Sequence, residues 1–239
     1  SFAYAGSDEY SLEDIQLQIR RGETIGIIGG TGSGKSTLIN LIPRFYEATK
    51  GAVLVDGVNV KEYPFEQLRT QIGLVPQKAT LFSGTIRENL QWRKENATDE
   101  EIARALSIAQ ASEFVDALPE KYDAVIDQGG KNLSGGQKQR LTIARALVGE
   151  PELLILDDSA SALDFATDAA LRQAIRRETK NMTVILVSQR ASTIRNANQI
   201  VVLDDGRVAG IGTHQQLMST CETYREICLS QLSSEEVGA

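Results

Sequence analysis

Between an apolar run at residues 24–28 (TIGII) and a segment of helical apolar spacing lies the loop Gly29-Gly30-Thr31-Gly32-Ser33-Gly34-Lys35-Ser36. It fits G-x-x-x-x-G-K-[ST] in the strand–loop–helix context the motif requires. Glycines let backbone N–H groups converge on phosphate oxygens, and a helix start adds partial positive charge. Lys35 then reaches the β- and γ-phosphates of a nucleoside triphosphate, and the Ser36 hydroxyl can ligate Mg²⁺. A bare glycine-rich turn is the alternative. Such a loop also needs a carboxylate for the metal's water shell, usually at the end of a buried strand. Leu153-Leu154-Ile155-Leu156-Asp157 supplies one.

The chain has 239 residues, enough for one large domain or two small ones, and 41% of them are hydrophobic. A formal charge of −7 and the absence of a long Lys/Arg run argue against holding a nucleic-acid backbone by charge. No apolar run approaches the roughly 20 residues of a membrane span. Cys221 and Cys228 fall in a stretch that reads as one helix, about 10 Å apart at 1.5 Å rise per residue. They are therefore read as reduced packing thiols. The chain opens on Ser1 in what reads as mid-strand, as an excised piece of a longer protein does.

The pattern predicts a helix over 35–46, carrying Leu38, Leu41, Ile42 and Phe45, then an Asp-Gly hairpin at 53–60 and a strand at 71–75. Residues 84–148 turn helical, with capping boxes at Thr98/Glu101 and Ser134/Gln137. Strands at 153–157 and 183–188 flank a helix at 164–178, and 200–203 with 207–211 read as a second Asp-Gly hairpin. Strands apolar throughout and separated by helices indicate a mostly parallel sheet covered on both faces. The fold class is α/β, with a helical insertion at about 84–148 and a β-rich N-terminal part; the tail from Ser233 reads as frayed.

Leu133-Ser134-Gly135-Gly136-Gln137 is, taken locally, only a capped helix start, yet its bare N–H groups and hydroxyl also suit a second anion site. Here the sequence resembles the nucleotide-binding domain of ATP-binding cassette (ABC) transporters over essentially the whole chain. LSGGQ is similar to that family's signature, GGTGSGKST to its Walker A, running through Thr37, and LLILD to its Walker B. The resemblance implies a P-loop ATPase core with an N-terminal antiparallel β-subdomain and a helical signature subdomain, one domain over 1–239. ATP and Mg²⁺ are the implied cofactors. Tyr4 looks like the tyrosine that stacks on adenine, and Gln77 like the Q-loop glutamine that touches Mg²⁺ or its water. Asp164, in Ser161-Ala162-Leu163-Asp164, looks like part of the D-loop that borders the nucleotide. Leu81–Ile86 is similar to exporters. Two such domains stack head to tail in this family, each ATP lying between one domain's Walker A and the other's LSGGQ. The implied partners are a second, different nucleotide-binding domain and a transmembrane domain of the same polypeptide, which alone meets the membrane; nucleic acid is not among them. The implied location is the cytoplasmic face of the cell membrane.

Two positions depart from the family's hydrolytic pattern. Asp158 stands where the family places a glutamate, and Gln189 where it places a switch histidine facing the γ-phosphate. Asp is one methylene shorter, and a misplacement of about 1 Å can cost ~10²-fold in rate. A Gln amide still donates a hydrogen bond but cannot become a cation. Gln128, before the signature, removes a charge that many exporters carry there; the sole histidine, His214, reads as structural. The pattern is similar to the degenerate half of heterodimeric exporters, whose intact signature serves the partner's site. The alternatives are a nucleotide-gated dimerisation module that never turns over and a non-transport ABC ATPase.

Overall fold

The structure is a computed structural model that describes residues 1–179 and 181–231; the tail from Ser233 lies outside them. The chain divides into two compact units, one formed by residues up to Arg69 with the chain from Thr183 on, the other by Thr70–Met182.

In the first unit the strand Thr24–Gly29 runs between two parallel neighbours, Thr183–Val187 and Gln199–Asp204. With both edges paired, every residue from Ile25 to Gly29 is buried, which explains an apolar run without polar alternation. Gln199–Asp204 turns through Asp205 and Gly206, at φ 42° and 72°, into the antiparallel strand Arg207–Gly212. That last strand alternates exposed and half-buried residues. Asp56 and Gly57, at φ 48° and 80°, close the Leu54–Val55/Val58–Asn59 hairpin in the same way.

In the second unit Leu153–Asp157 pairs in parallel with Ile72–Val75. The helix Gly135–Leu147 buries Leu141, Ile143, Ala144 and Leu147, and packs against Asp99–Ile108, Ile86–Gln91 and the Ile72–Val75 strand. The expected capping boxes at Thr98/Glu101 and Ser134/Gln137 are formed, and Thr85/Glu88 and Thr213/Gln216 form two more. A two-residue antiparallel pair, Gly84–Thr85 with Val125–Ile126, sits among these helices. Among the described residues no helix is long and apolar enough to cross a membrane.

Three expectations need correction. The helix from Lys35 ends at Leu41, because Pro43 lacks a donor and Arg44 turns left-handed at φ 57°. Phe45 is thereby 51% exposed, with the Arg69 guanidinium over its ring. Cys221 and Cys228 do not share a helix: Cys221 is extended (φ −122°, ψ 108°) between His214–Thr220 and Glu222–Gln231. Both are nevertheless free and buried. The N-terminal β content is a Phe2–Leu12 bridge plus the short hairpin; residues 15–20 alternate in burial but join no ladder among the described residues.

His214 Nδ1 lies 2.9 Å from the hydroxyl of Tyr224, which is fully buried. Burial, then the Arg195 charge, holds the His214 imidazole below its ordinary value. Below about pH 6.5 the unfolded chain therefore takes up a proton that the folded chain resists. Stability at this site is complete above that pH and is lost as pH falls toward the depressed folded value. Urea midpoints measured from about pH 7.5 to about pH 5 should fall, and His214→Gln, which keeps a partner for Tyr224, should flatten that fall. Ser134→Ala removes a cap and is expected to cost about 1 kcal/mol by urea denaturation, with Ser134→Asp restoring most of it.

Candidate functional site

The glycine-rich loop leaves its strand at Gly29, where an added Cβ would lie 2.2 Å from the Leu203 carbonyl oxygen and 2.5 Å from Ser33 Oγ. Gly34, at φ 95°, begins the helix, and a Cβ there would come within 2.7 Å of Leu12 Cδ2. The loop is thus pressed against the fold at both ends. Its mouth is open, since nothing lies within 4 Å of a Cβ at Gly30 or Gly32. Lys35 Nζ folds back over the loop and donates to the carbonyls of Gly29 (2.9 Å) and Gly30 (2.6 Å), with buried Ser33 Oγ at 3.4 Å. Its ammonium is thereby held at the loop while Thr31 and Ser36 face solvent.

Tyr4 is tied to the same helix: its hydroxyl lies 2.8 Å from Thr37 Oγ1. Its ring meets Phe2 and Tyr46 edge-on, at centroid distances of 4.8 and 5.3 Å, and stays 41% exposed. An exposed ring anchored beside the glycine-rich loop can stack on a base. Also in this unit, Gln189 follows buried Ser188 at the end of Thr183–Val187 and is exposed. Its backbone is held by Gln231, a residue that the sequence reading missed.

In the second unit, strand register explains a contact between residues 81 apart in sequence. Val75 pairs with Leu156, so Gln77 and Asp158 each emerge two residues later, and Gln77 Nε2 donates to Asp158 Oδ2 at 3.3 Å. Asp157 closes its strand half-buried. Asp158 turns left-handed at φ 46°, and its carbonyl accepts from Ser161 N (3.2 Å) and Ser161 Oγ (2.8 Å).

The signature residues sit at the start of Gly135–Leu147. Ser134 Oγ accepts from Gln137 N (3.2 Å) and Gln137 Oε1 accepts from Ser134 N (2.9 Å); Ser134 and Gly135 are exposed. Asp164 caps the helix Phe165–Glu178, its two oxygens accepting from Thr167 N and Thr167 Oγ1, both at 2.8 Å. Those bonds, the backbone one first, hold its carboxyl below the usual range. Asn132, also unforeseen, bridges Val125 O (2.8 Å) and Asp127 N (3.0 Å) just ahead of the signature.

The candidate metal donors are a hydroxyl (Ser36), an amide (Gln77) and a carboxylate (Asp157). Among the described residues no group of three or more His, Cys, Asp or Glu could hold a metal by itself. An all-oxygen set with a single carboxylate fits Mg²⁺, which keeps waters and takes phosphate oxygens alongside few protein ligands.

A family profile described as ABC transporter matches residues 12–161. The ABC transporter ATP-binding protein YfiB of Bacillus subtilis (strain 168) is 47% identical over 235 residues, which is 98% of this chain and 41% of that protein. A Staphylococcus aureus (strain NCTC 8325 / PS 47) protein named for multidrug export as an ATP-binding/permease protein is 44% identical over 95% of this chain and 39% of its own length. The structure of a bacterial Atm1-family ABC exporter with ATP bound superposes with a TM-score of 0.93 at 35% identity, over 98% of this chain and 41% of that one. The chain thus spans about two fifths of the length of these relatives. On the profile match and on relatives aligned along nearly all of its length, the chain belongs to the ABC transporter family.

Proposed function

We propose that the chain is the ATP-binding domain of an export-type half-transporter, and that its own nucleotide site binds ATP far better than it hydrolyses it. The observation that carries the reading is the Gly29–Ser36 loop, closed by packing at Gly29 and Gly34 and open at Gly30 and Gly32, with the Lys35 ammonium held over it. Open backbone amides and a positioned cation are what a triphosphate needs. Ser36, Gln77 and Asp157 would hold Mg²⁺, which when bound neutralises charge on the β- and γ-phosphates. Tyr4 stacks on the base, and Gln189 hydrogen-bonds the γ-phosphate.

The slow-site reading rests on Asp158 and Gln189 standing at the family's Glu and His positions. A water-activating carboxylate must reach its water, and Asp158 is a methylene short; Gln189 donates a hydrogen bond but brings no positive charge. Ser134, Gly135, Gly136 and Gln137 keep the signature intact, so this chain completes the working site of a different partner domain, with Asp164 at the junction. The relatives named as ATP-binding/permease proteins, more than twice as long as this chain, support a transmembrane domain on the same polypeptide. That domain would place this one on the cytoplasmic face of the membrane. The helical subdomain is read as about residues 84–148 within one nucleotide-binding domain.

Steady-state Mg·ATP turnover, measured over a series of protein concentrations with Lys35→Ala as the blank, tests this. The chain should bind ATP and turn over near the blank, and Lys35→Ala should lose binding. Asp158→Glu combined with Gln189→His is expected to raise turnover by about 10²-fold or more. Turnover of the unaltered chain that rises more steeply than linearly with concentration would mean a competent homodimer. No gain in the double variant would leave a non-hydrolytic, nucleotide-gated dimerisation module as the better reading.

A further inference from the structure

Gln231 ends the helix Glu222–Gln231, far along the chain from the switch position, yet its amide grips the backbone on both sides of Arg190. Gln231 Nε2 donates to the Gln189 carbonyl at 2.6 Å, and Gln231 Oε1 accepts from Ala191 N at 2.9 Å. Ala191 opens the four-residue helix Ala191–Ile194, whose N-cap residue Arg190 provides no side-chain cap. Gln231 therefore does from a distance what an N-cap does locally: it satisfies an orphan donor at the helix start. In the same grip it fixes the peptide that carries the Gln189 side chain. The other ties run toward the sheet: Ser188 N donates to Ile27 O (3.1 Å), and the buried Ser188 Oγ accepts from Arg190 N (3.0 Å). Gln189 is thus anchored on its sheet side by Ser188 and on its far side by the C-terminal helix.

We propose that Gln231 is a positioning residue for Gln189: its two-point clamp sets where the Gln189 amide meets the γ-phosphate, and so couples nucleotide discrimination to the seating of the C-terminal helix. This rests on the reading of Gln189 as the γ-phosphate contact. A shifted Gln189 loses a bond that ATP offers and ADP does not, so the quantity that moves is the ATP-over-ADP preference. A residue with a merely structural role would lower the affinity for both nucleotides alike.

The test uses the whole chain and two readouts. Hydrogen exchange at the Ala191 amide reports the clamp itself. In Gln231→Ala it should quicken by about five- to tenfold, the worth of one hydrogen bond. In Gln231→Glu, which keeps the acceptor but loses the donor, Ala191 should stay protected. Gln231 is exposed, so neither change removes a buried side chain. Equilibrium binding of Mg·ATP and Mg·ADP reports the consequence. Gln189→Ala should cut the ATP preference by about five- to tenfold. Gln231→Ala and Gln231→Glu should each cut it by most of that, and Gln189→Ala with Gln231→Ala should lose no more than Gln189→Ala alone. Unchanged exchange at Ala191 in Gln231→Ala overturns the clamp. Quickened exchange with an intact ATP preference, while Gln189→Ala lowers it, overturns the positioning role. If Gln189→Ala leaves the preference untouched, the γ-phosphate reading fails and takes this inference with it, whatever the exchange shows.

Discussion

Gly29 pairs with Leu203 in the sheet, and its α-carbon faces the Leu203 carbonyl so closely that a Cβ would sit 2.2 Å from that oxygen. The loop depends on this contact. The atom in the way is a backbone oxygen of the paired strand, which cannot move aside as a flexible side chain could, so the residue at that register has to be glycine. The chain then leaves the sheet at a fixed point and in a fixed direction. Ser33, buried against the same place, and Gly34, left-handed against Leu12, carry the path into the helix. Only the middle of the loop is spared contact, and there the Lys35 ammonium settles. On the proposed reading, the capacity of the loop to take phosphates follows from how tightly its two ends are packed.

In the second unit, too, candidate site residues stand at the ends of parallel strands. Because Ile72–Val75 and Leu153–Asp157 run in the same direction, the residues that follow them emerge side by side, and Gln77 reaches Asp158 with no further element to bring it there. Placing functional groups beyond the carboxyl ends of parallel strands is the general habit of α/β sheets. Three further positions lie at helix starts instead: the candidate site residues Ser134 and Asp164 and, held by Gln231, Ala191. In each case an orphan N–H has found an oxygen of the chain's own, and at Ser134 and Asp164 the bonds that order the turn also fix an exposed side chain.

Much of this was legible in the sequence where the cause lies within about four residues. The Ser134/Gln137 and Thr98/Glu101 boxes, the Asp-Gly turns and the paired strands are local or periodic signals, and the structure contains each. The stop at Leu41 was equally local, since Pro43 forbids the helix from continuing; apolar spacing through Phe45 concealed it. Thr85/Glu88 and Thr213/Gln216 repeat the pattern already used at Ser134. The break at Cys221 is different in kind. No Gly or Pro marks it; Cys221 turns out of the helix to bury its sulfur against Ala209 and Gly210, a tertiary contact that outweighs helix propensity. The Gln231 clamp was illegible for the same reason, being a pair of bonds between residues 40 and 42 apart. Motifs nominate the residue types of the candidate site; of the contacts that hold those residues, the Ser134/Gln137 box was readable, and the Lys35, Gln77–Asp158 and Gln231 bonds were not.

The backbone at Asp158 gives the proposed split between binding and chemistry a physical basis. The residue is left-handed, at φ 46°, a conformation that short polar side chains tolerate better than long ones because they can bond locally. Its carbonyl is taken up by two bonds from Ser161 and its carboxylate by Gln77, so the turn after Asp157 is satisfied as it stands. An aspartate there suits the backbone and gives up reach. On the proposed reading, grip on the phosphates comes from the Gly29–Ser36 loop and Lys35, none of which depends on the length of that side chain. Activation of water depends on it almost entirely. On that reading, shortening one carboxylate by a methylene would weaken an interaction made in the transition state and leave ground-state binding intact, the condition under which turnover falls without loss of affinity.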